Sequence, residues 1–253
     1  MKTWILLRGL TRESRHWGDF PESFRQADPG ARVLTIDFPG NGVLHRSASS
    51  ADVREMAGHC RAELARRGVA PPYDVLAMSL GAMVAVAWAH AYPGEVRRCV
   101  LINTSLRPFS PYYRRLRPSN YLPLLKLAVF GGSAAEWEAR IFSATSRLRA
   151  ETSEVLKDWV AFRDEYPVTR KNAWRQLCAA ARYRAPAAKP AASLLLLASR
   201  NDALVDARCS QALADAWNCP IRMHPRAGHD LPLDDPRWVI EQVRSWIGTG
   251  DGG

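Results

Sequence analysis

The stretch Val75-Leu76-Ala77-Met78-Ser79-Leu80-Gly81-Ala82-Met83-Val84-Ala85-Val86-Ala87-Trp88-Ala89-His90-Ala91-Tyr92 decides how the rest of the chain is read. Its first four residues are apolar and read as a short buried strand. Ala82–Tyr92 reads as a long apolar helix, closed by Pro93-Gly94. Ser79 falls on the tight turn between them, with its hydroxyl at the carboxyl end of the strand and the helix N-terminus beneath it. Small residues at 77 and 81 suit a turn that brings strand and helix backbones close together. A serine at such a boundary is ordinarily an N-cap. The strand before it and the helix after it make Ser79 a candidate nucleophile as well.

Working outward, Trp4–Leu7, Val33–Ile36, Val100–Ile102, Leu194–Ala198 and Ile221–Met223 are further apolar runs of strand length. Ala51–Arg67, Ala207–Trp217 and Trp238–Ile247 carry apolar residues at helical spacing. Strands that are apolar throughout, alternating with helices, predict an α/β fold. The expected sheet is mostly parallel, has about six strands, and is covered on both faces. Between Val100 and Leu194 lie about ninety residues without a convincing strand, where Ala134–Leu148 and Thr152–Phe162 read as helices. The expected organisation is therefore a core of residues 1–105 and 186–253, with an inserted helical cap, or lid, of residues 106–185.

A serine hydroxyl is a poor nucleophile at neutral pH and needs a histidine base, itself oriented by a carboxylate. Of six histidines, His59 and His90 lie within expected helices, His224 ends a strand, and His16 sits beside Trp17 in an early helix. His229 stands in Ala227-Gly228-His229-Asp230-Leu231-Pro232, a loop between the last strand and the last helix. Asp202 follows the penultimate strand, where a carboxylate can meet a histidine that follows the last one. Asp206, four residues on, suits a helix cap better.

With these residues in place the chain resembles the α/β-hydrolase superfamily. The order Ser79, Asp202, His229 is that family's order. Asp37-Phe38-Pro39-Gly40-Asn41-Gly42 resembles its Asp-x-Pro-Gly-x-Gly loop, Ser199–Val205 its acid loop, and Gly228–Pro236 its histidine loop. The resemblance covers Trp4–Leu106 and Ser193–Ile247. It implies an α/β-hydrolase fold with a helical cap, and cleavage of a small-molecule carboxylic ester through an acyl-enzyme. It also implies an oxyanion hole made by the backbone N–H groups of Leu10 and Leu80, with no cofactor and no metal. Two positions depart from the pattern. Arg8-Gly9 stands where the family often has His-Gly, so Arg8 is expected to touch substrate or a neighbouring loop. Ala77 replaces the first glycine of the elbow. The first hairpin of the full fold is expected to be missing or reduced. His16, Trp17, Tyr112, Tyr113, Arg114 and Arg115 complete the candidate substrate-binding set.

The 253 residues carry a formal charge of +10, with 30 arginines among 35 basic residues. Leu106–Ala185 holds 15 Lys+Arg against 7 Asp+Glu, a net +8, which leaves only +2 for the remainder. The positive charge thus belongs to the insertion, through Arg114, Arg115, Arg117, Arg140, Arg147 and Arg149 among others. Solvation of cap helices accounts for such charge. The alternative is a grip on a thioester or acyl ester borne by an acidic acyl-carrier protein. A binding protein on a hydrolase scaffold is the reading from another class. No nucleic-acid recognition motif accompanies the basic region, so no nucleic-acid partner is expected. A hydrophobic content of 47% with 24% charged residues excludes a mostly disordered chain. No apolar run approaches the length of a membrane span, and the run of four after Thr3 is too short for a signal-peptide core. Five scattered cysteines without a CxxC predict neither a disulfide framework nor a zinc site, and a cytoplasmic location.

Overall fold

A computed structural model describes residues 2–148 and 152–250; Arg149 of the expected basic set lies outside the described residues. In chain order the elements are β1 (Lys2–Leu7), α1 (Phe20–Ala27), β2 (Ala31–Ile36), α2 (Val53–Arg66), β3 (Tyr73–Met78), α3 (Leu80–Ala91) and β4 (Val96–Ile102). Five helices follow: α4 (Tyr112–Arg115), α5 (Tyr121–Phe130), α6 (Ala134–Thr145), α7 (Thr152–Glu165) and α8 (Arg170–Arg182). The chain then forms β5 (Ser193–Ser199), α9 (Arg208–Trp217), β6 (Ile221–His224), α10 (Leu231–Asp234) and α11 (Pro236–Gly248). The early helix expected around His16 is a single 3-10 turn, Ser14–Trp17, because Pro21 starts the true helix just beyond it.

The six strands form one parallel sheet in the order β2-β1-β3-β4-β5-β6. The apolar runs of the four inner strands follow from burial on both faces. Alternate residues serve opposite layers. Ile5, Leu7, Val75, Ala77, Leu101 and Leu196 pack under α2, α3 and α9. Trp4, Leu6, Leu76, Met78, Val100 and Leu197 pack under α1 and α11, against Phe20, Phe24, Val243 and Trp246. Each such fully buried aliphatic side chain contributes about 1.5–3 kcal/mol. The middle strands carry two cores at once, and the buried charge near their start, Asp74 on β3, is matched by Arg97 and Arg98 of β4.

The strand order reverses beside β1, since the chain moves outward to β2 and then returns to β3 on the other side. The loops after β1 and β3 therefore separate at their carboxyl ends and leave a crevice. Gly81 lets the two elements approach there: a methyl group on it would lie 2.5 Å from the Leu7 carbonyl oxygen and 2.6 Å from that of Arg8. Gly58, inside α2, has open space in the same position. Gly81→Ala is accordingly expected to lower stability by about 1–3 kcal/mol. Gly58→Ala should raise it by about 0.5–1 kcal/mol by removing a helix-interior glycine. Urea midpoints of the two variants shifting in the same direction would contradict the close approach.

Candidate active site

All the sequence-derived catalytic candidates lie at the carboxyl edge of the sheet. Ser79 follows β3 with φ +54° and ψ −116°, a region that non-glycine residues rarely occupy. Its backbone is held there from both sides, the Ser79 N–H donating to the Ile102 carbonyl (3.0 Å) and the Ser79 carbonyl accepting from Ala82 (3.1 Å). The side chain is half-buried, while its neighbours Met78 and Leu80 are buried. The expected N-cap bond is absent: among the described residues the Ser79 hydroxyl caps no helix N–H. The positive φ turns it away from the helix and into the cavity.

His229 and Asp202 meet. His229 Nδ1 lies 2.6 Å from Asp202 Oδ2, and both side chains are buried. The other carboxylate oxygen accepts from the Leu204 N–H (2.8 Å) and the Val205 N–H (2.9 Å), so Asp202 is fixed at both oxygens. A carboxylate at this distance favours, for a neutral imidazole, the tautomer with its proton on Nδ1 and its lone pair on Nε2. Ser79 and His229 line one cavity of about 1000 Å³, together with Leu10 and Leu80. Among the described residues, neither the Ser79 hydroxyl nor His229 Nε2 is committed to another protein group, and the N–H groups of Leu10 and Leu80 have no acceptor. Asp206 accepts from the Arg208 N–H (3.0 Å) beside the start of α9, and its hydrogen bonds with the Arg208 side chain hold its carboxyl low, at about 2, against the opposing effect of burial.

Several residues that the sequence did not single out hold these groups in place. Asn103, after β4 and itself at φ +46°, accepts from the Ser199 N–H (2.8 Å) and donates to the His229 carbonyl (2.7 Å). It thereby ties the ends of two strands to the histidine loop. Asp234 accepts from the Gly228 N–H (2.6 Å) at the other end of that loop. Gln176, fully buried on α8, accepts from the Thr11 N–H (2.8 Å) and donates to Asn41 Oδ1 (2.8 Å) and Ser49 Oγ (3.0 Å). The loop carrying Leu10 is thus fastened to the Asp37–Gly42 loop through the helical insertion. A polar pair at i and i+4, Asn172 and Gln176, was the available signal, but polar residues on an inserted helix read first as solvated.

The candidate substrate-contacting set divides. Arg8, Tyr112 and Arg115 line the cavity; His16, Trp17, Tyr113 and Arg114 do not. His16 is buried against Trp159 and Phe162, with Nε2 2.8 Å from Arg12 Nη1, and burial drives its pKa well below the ordinary histidine range. Trp17 is consumed by packing on Phe20 and under the Arg8 guanidinium. Both were expected among the substrate contacts, but neither lines the cavity. Arg8 forms a buried, two-pronged ion pair with Asp230, at 2.5 and 3.1 Å. It therefore joins the loop after β1 to the residue next to His229, the neighbouring-loop contact expected of it. No group of three or more His, Cys, Asp or Glu among the described residues is placed to hold a metal ion.

With the geometry in place, comparison with known proteins gives a consistent result. Residues 4–242 match the family model for the alpha/beta hydrolase family. Among solved structures, BpoC of Mycobacterium tuberculosis H37Rv superposes with a TM-score of 0.78 at 21% identity, over 98% of this chain and 92% of that one. A thermophilic esterase from Thermogutta terrifontis gives 0.76 at 18% identity, over 100% of this chain and 91% of that one. The enol-lactonase of Burkholderia xenovorans LB400 gives 0.75 at 17% identity, over 98% and 91%. At these identities the likeness to solved structures is one of fold. No curated protein matches this chain in sequence. No helix among the described residues is long and apolar enough to cross a membrane. The family match spans nearly the whole chain, and the protein belongs to the alpha/beta hydrolase family.

Proposed function

We propose that this protein is a serine hydrolase that cleaves a small-molecule carboxylic ester through a Ser79–His229–Asp202 triad. The observation that carries the proposal is the buried 2.6 Å bond between His229 Nδ1 and Asp202, which orients the ring and favours the tautomer with Nε2 as base in the cavity that Ser79 also lines. In the proposed reaction Ser79 Oγ attacks the ester carbonyl while Nε2 takes the hydroxyl proton. The N–H groups of Leu10 and Leu80 receive the negative oxygen of the tetrahedral intermediate. Collapse of that intermediate breaks the C–O bond, and the alcohol leaves with the proton from Nε2. Water then attacks the acyl-enzyme, gives a proton to Nε2, and releases the acid and free Ser79.

The pre-set geometry supports this over a purely binding role. A left-handed non-glycine residue costs about 1–3 kcal/mol unless its surroundings impose it, and a ligand-binding cavity has no need of one at Ser79. The same machinery would serve a thioester, so esters and thioesters of matched acyl chains form the natural substrate panel.

Two measurements check the proposal. A fluorophosphonate probe should label the folded protein once, at Ser79, with the adduct located by mass spectrometry. Ser79→Ala should abolish labelling and lower kcat for any ester that is turned over by at least about 10³-fold. Folded protein that stays unlabelled would remove the serine mechanism. Asp202→Asn presents an amide N–H to Nδ1 and reverses the imidazole tautomer, so kcat should fall by about 10⁴-fold with little change in KM. A loss expressed mainly in KM would show Asp202 acting on substrate binding rather than on the base.

A further inference from the structure

Among the described residues, the cavity shared by Ser79 and His229 is walled by seven arginines and a single carboxylate, Asp230, both of whose oxygens are taken by Arg8. Three of the arginines cluster where the inserted helices rejoin the core. Arg107 and Arg184 face each other across a short parallel bridge, with the Ala185 N–H donating to the Arg107 carbonyl (2.7 Å). Arg115 Nη2 donates to the Ala180 carbonyl (2.6 Å), and Arg107 Nη1 reaches that of Ala181 (3.5 Å). Burial and then repulsion by Arg107 lower the Arg115 pKa, as close like charges require. Among the described residues none of the three has a carboxylate partner, and Arg115 Nε is buried without an acceptor. A second unmet donor lies in the same wall: Arg12 is 6% exposed and its Nη2 has no partner. Its one carboxylate, Glu138, is shared with Arg163. The cavity therefore carries positive charge and unused donors beside apolar wall residues such as Leu116, Leu124 and Leu177.

We infer that the substrate is an ester bearing a second, anionic group, a carboxylate or phosphate, which Arg107, Arg115 and Arg184 receive while the ester carbonyl lies at Ser79. The inference rests on the hydrolase reading above and narrows its substrate class. Guanidinium forks match either oxyanion, with Arg115 half-buried and Arg107 and Arg184 exposed at the cavity rim.

Monoethyl esters of four- to eight-carbon dicarboxylic acids, their neutral diethyl counterparts, and phosphate-terminated esters of the same lengths test it. With the wild-type protein at low salt, kcat/KM for an anionic member should exceed that of its neutral counterpart by about tenfold or more. The ratio should shrink as NaCl is raised and fall about tenfold in Arg115→Gln. Arg184→Gln, at an exposed side chain, should also reduce it and serves if the first variant does not fold. The carboxylate and phosphate arms tell the two oxyanions apart. A neutral ester preferred equally or more at every length overturns the inference while leaving the hydrolase reading intact. If Ser79 takes no label and nothing is turned over, that reading fails. Calorimetry on Ser79→Ala still decides the anion site: tighter binding of monoethyl ester than of diethyl ester upholds it, and equal or weaker binding overturns it.

Discussion

Parallel strands deliver all their carboxyl ends to one edge, and the chemistry of this chain is strung along that edge. Leu10 follows β1, Ser79 follows β3, Asn103 follows β4, Asp202 follows β5 and His229 follows β6. None of these residues is close to another in sequence. The sheet brings them together because both its faces are buried, and a slip by one residue would exchange the two hydrophobic sets of every strand. Register is thus enforced by the core, and the relative heights of Ser79 and the residues after β4 and β5 follow from it. The bonds from Ser79 N–H to Ile102 and from Asn103 N–H to Leu197 continue the same ladder one step past the strands.

Beyond the sheet, the site is braced by buried polar groups that are costly to bury singly. The Arg8–Asp230 pair lies between the loop of Leu10 and the loop of His229, at 3% and 2% side-chain exposure. Removing one member of such a pair typically costs about 3–5 kcal/mol, because the other is left charged in a low-dielectric wall. An apolar pair of similar volume would often be as stable. What the ion pair supplies is direction: two parallel N–H bonds fix the angle between two loops that must present a base and an oxyanion site to the same carbonyl. Histidine in place of Arg8 could not span that gap with two bonds.

How much of this was legible in the sequence depended on whether a residue's role is local. Ser79, Asp202 and His229 could be placed because strand, turn and helix signals on either side of each are strong and close. Sheet class and strand number followed from short, mostly apolar runs alternating with segments of helical spacing. The roles of Gln176, Asn103 and Arg12 could not be read, since each is defined by partners that are far away along the chain: Gln176 bonds Thr11, Asn41 and Ser49. His16 and Trp17 failed for the same reason in reverse. Their neighbourhood suggested a pocket, but Trp159 and Phe162 of the inserted α7 close over His16, and that packing is invisible before the insertion is placed.

The insertion's positive charge has a competing explanation in its own backbone. The last carbonyls of α8 carry about half a negative elementary charge, and Arg107 and Arg115 donate to two of them. Guanidinium groups at a helix C-terminus are ordinary capping. Half a charge, however, does not neutralise two cations, and Arg184 adds a third without any side-chain bond among the described residues. Several other arginine clusters do have carboxylates: Arg97 and Arg98 with Asp74, Arg66 and Arg67 with Glu63, Arg15 with Glu13 and Glu165. Arg107, Arg115 and Arg184 line the cavity of Ser79 and His229 without a carboxylate partner among the described residues, and that uncompensated charge is what the proposed anionic group of the substrate would meet.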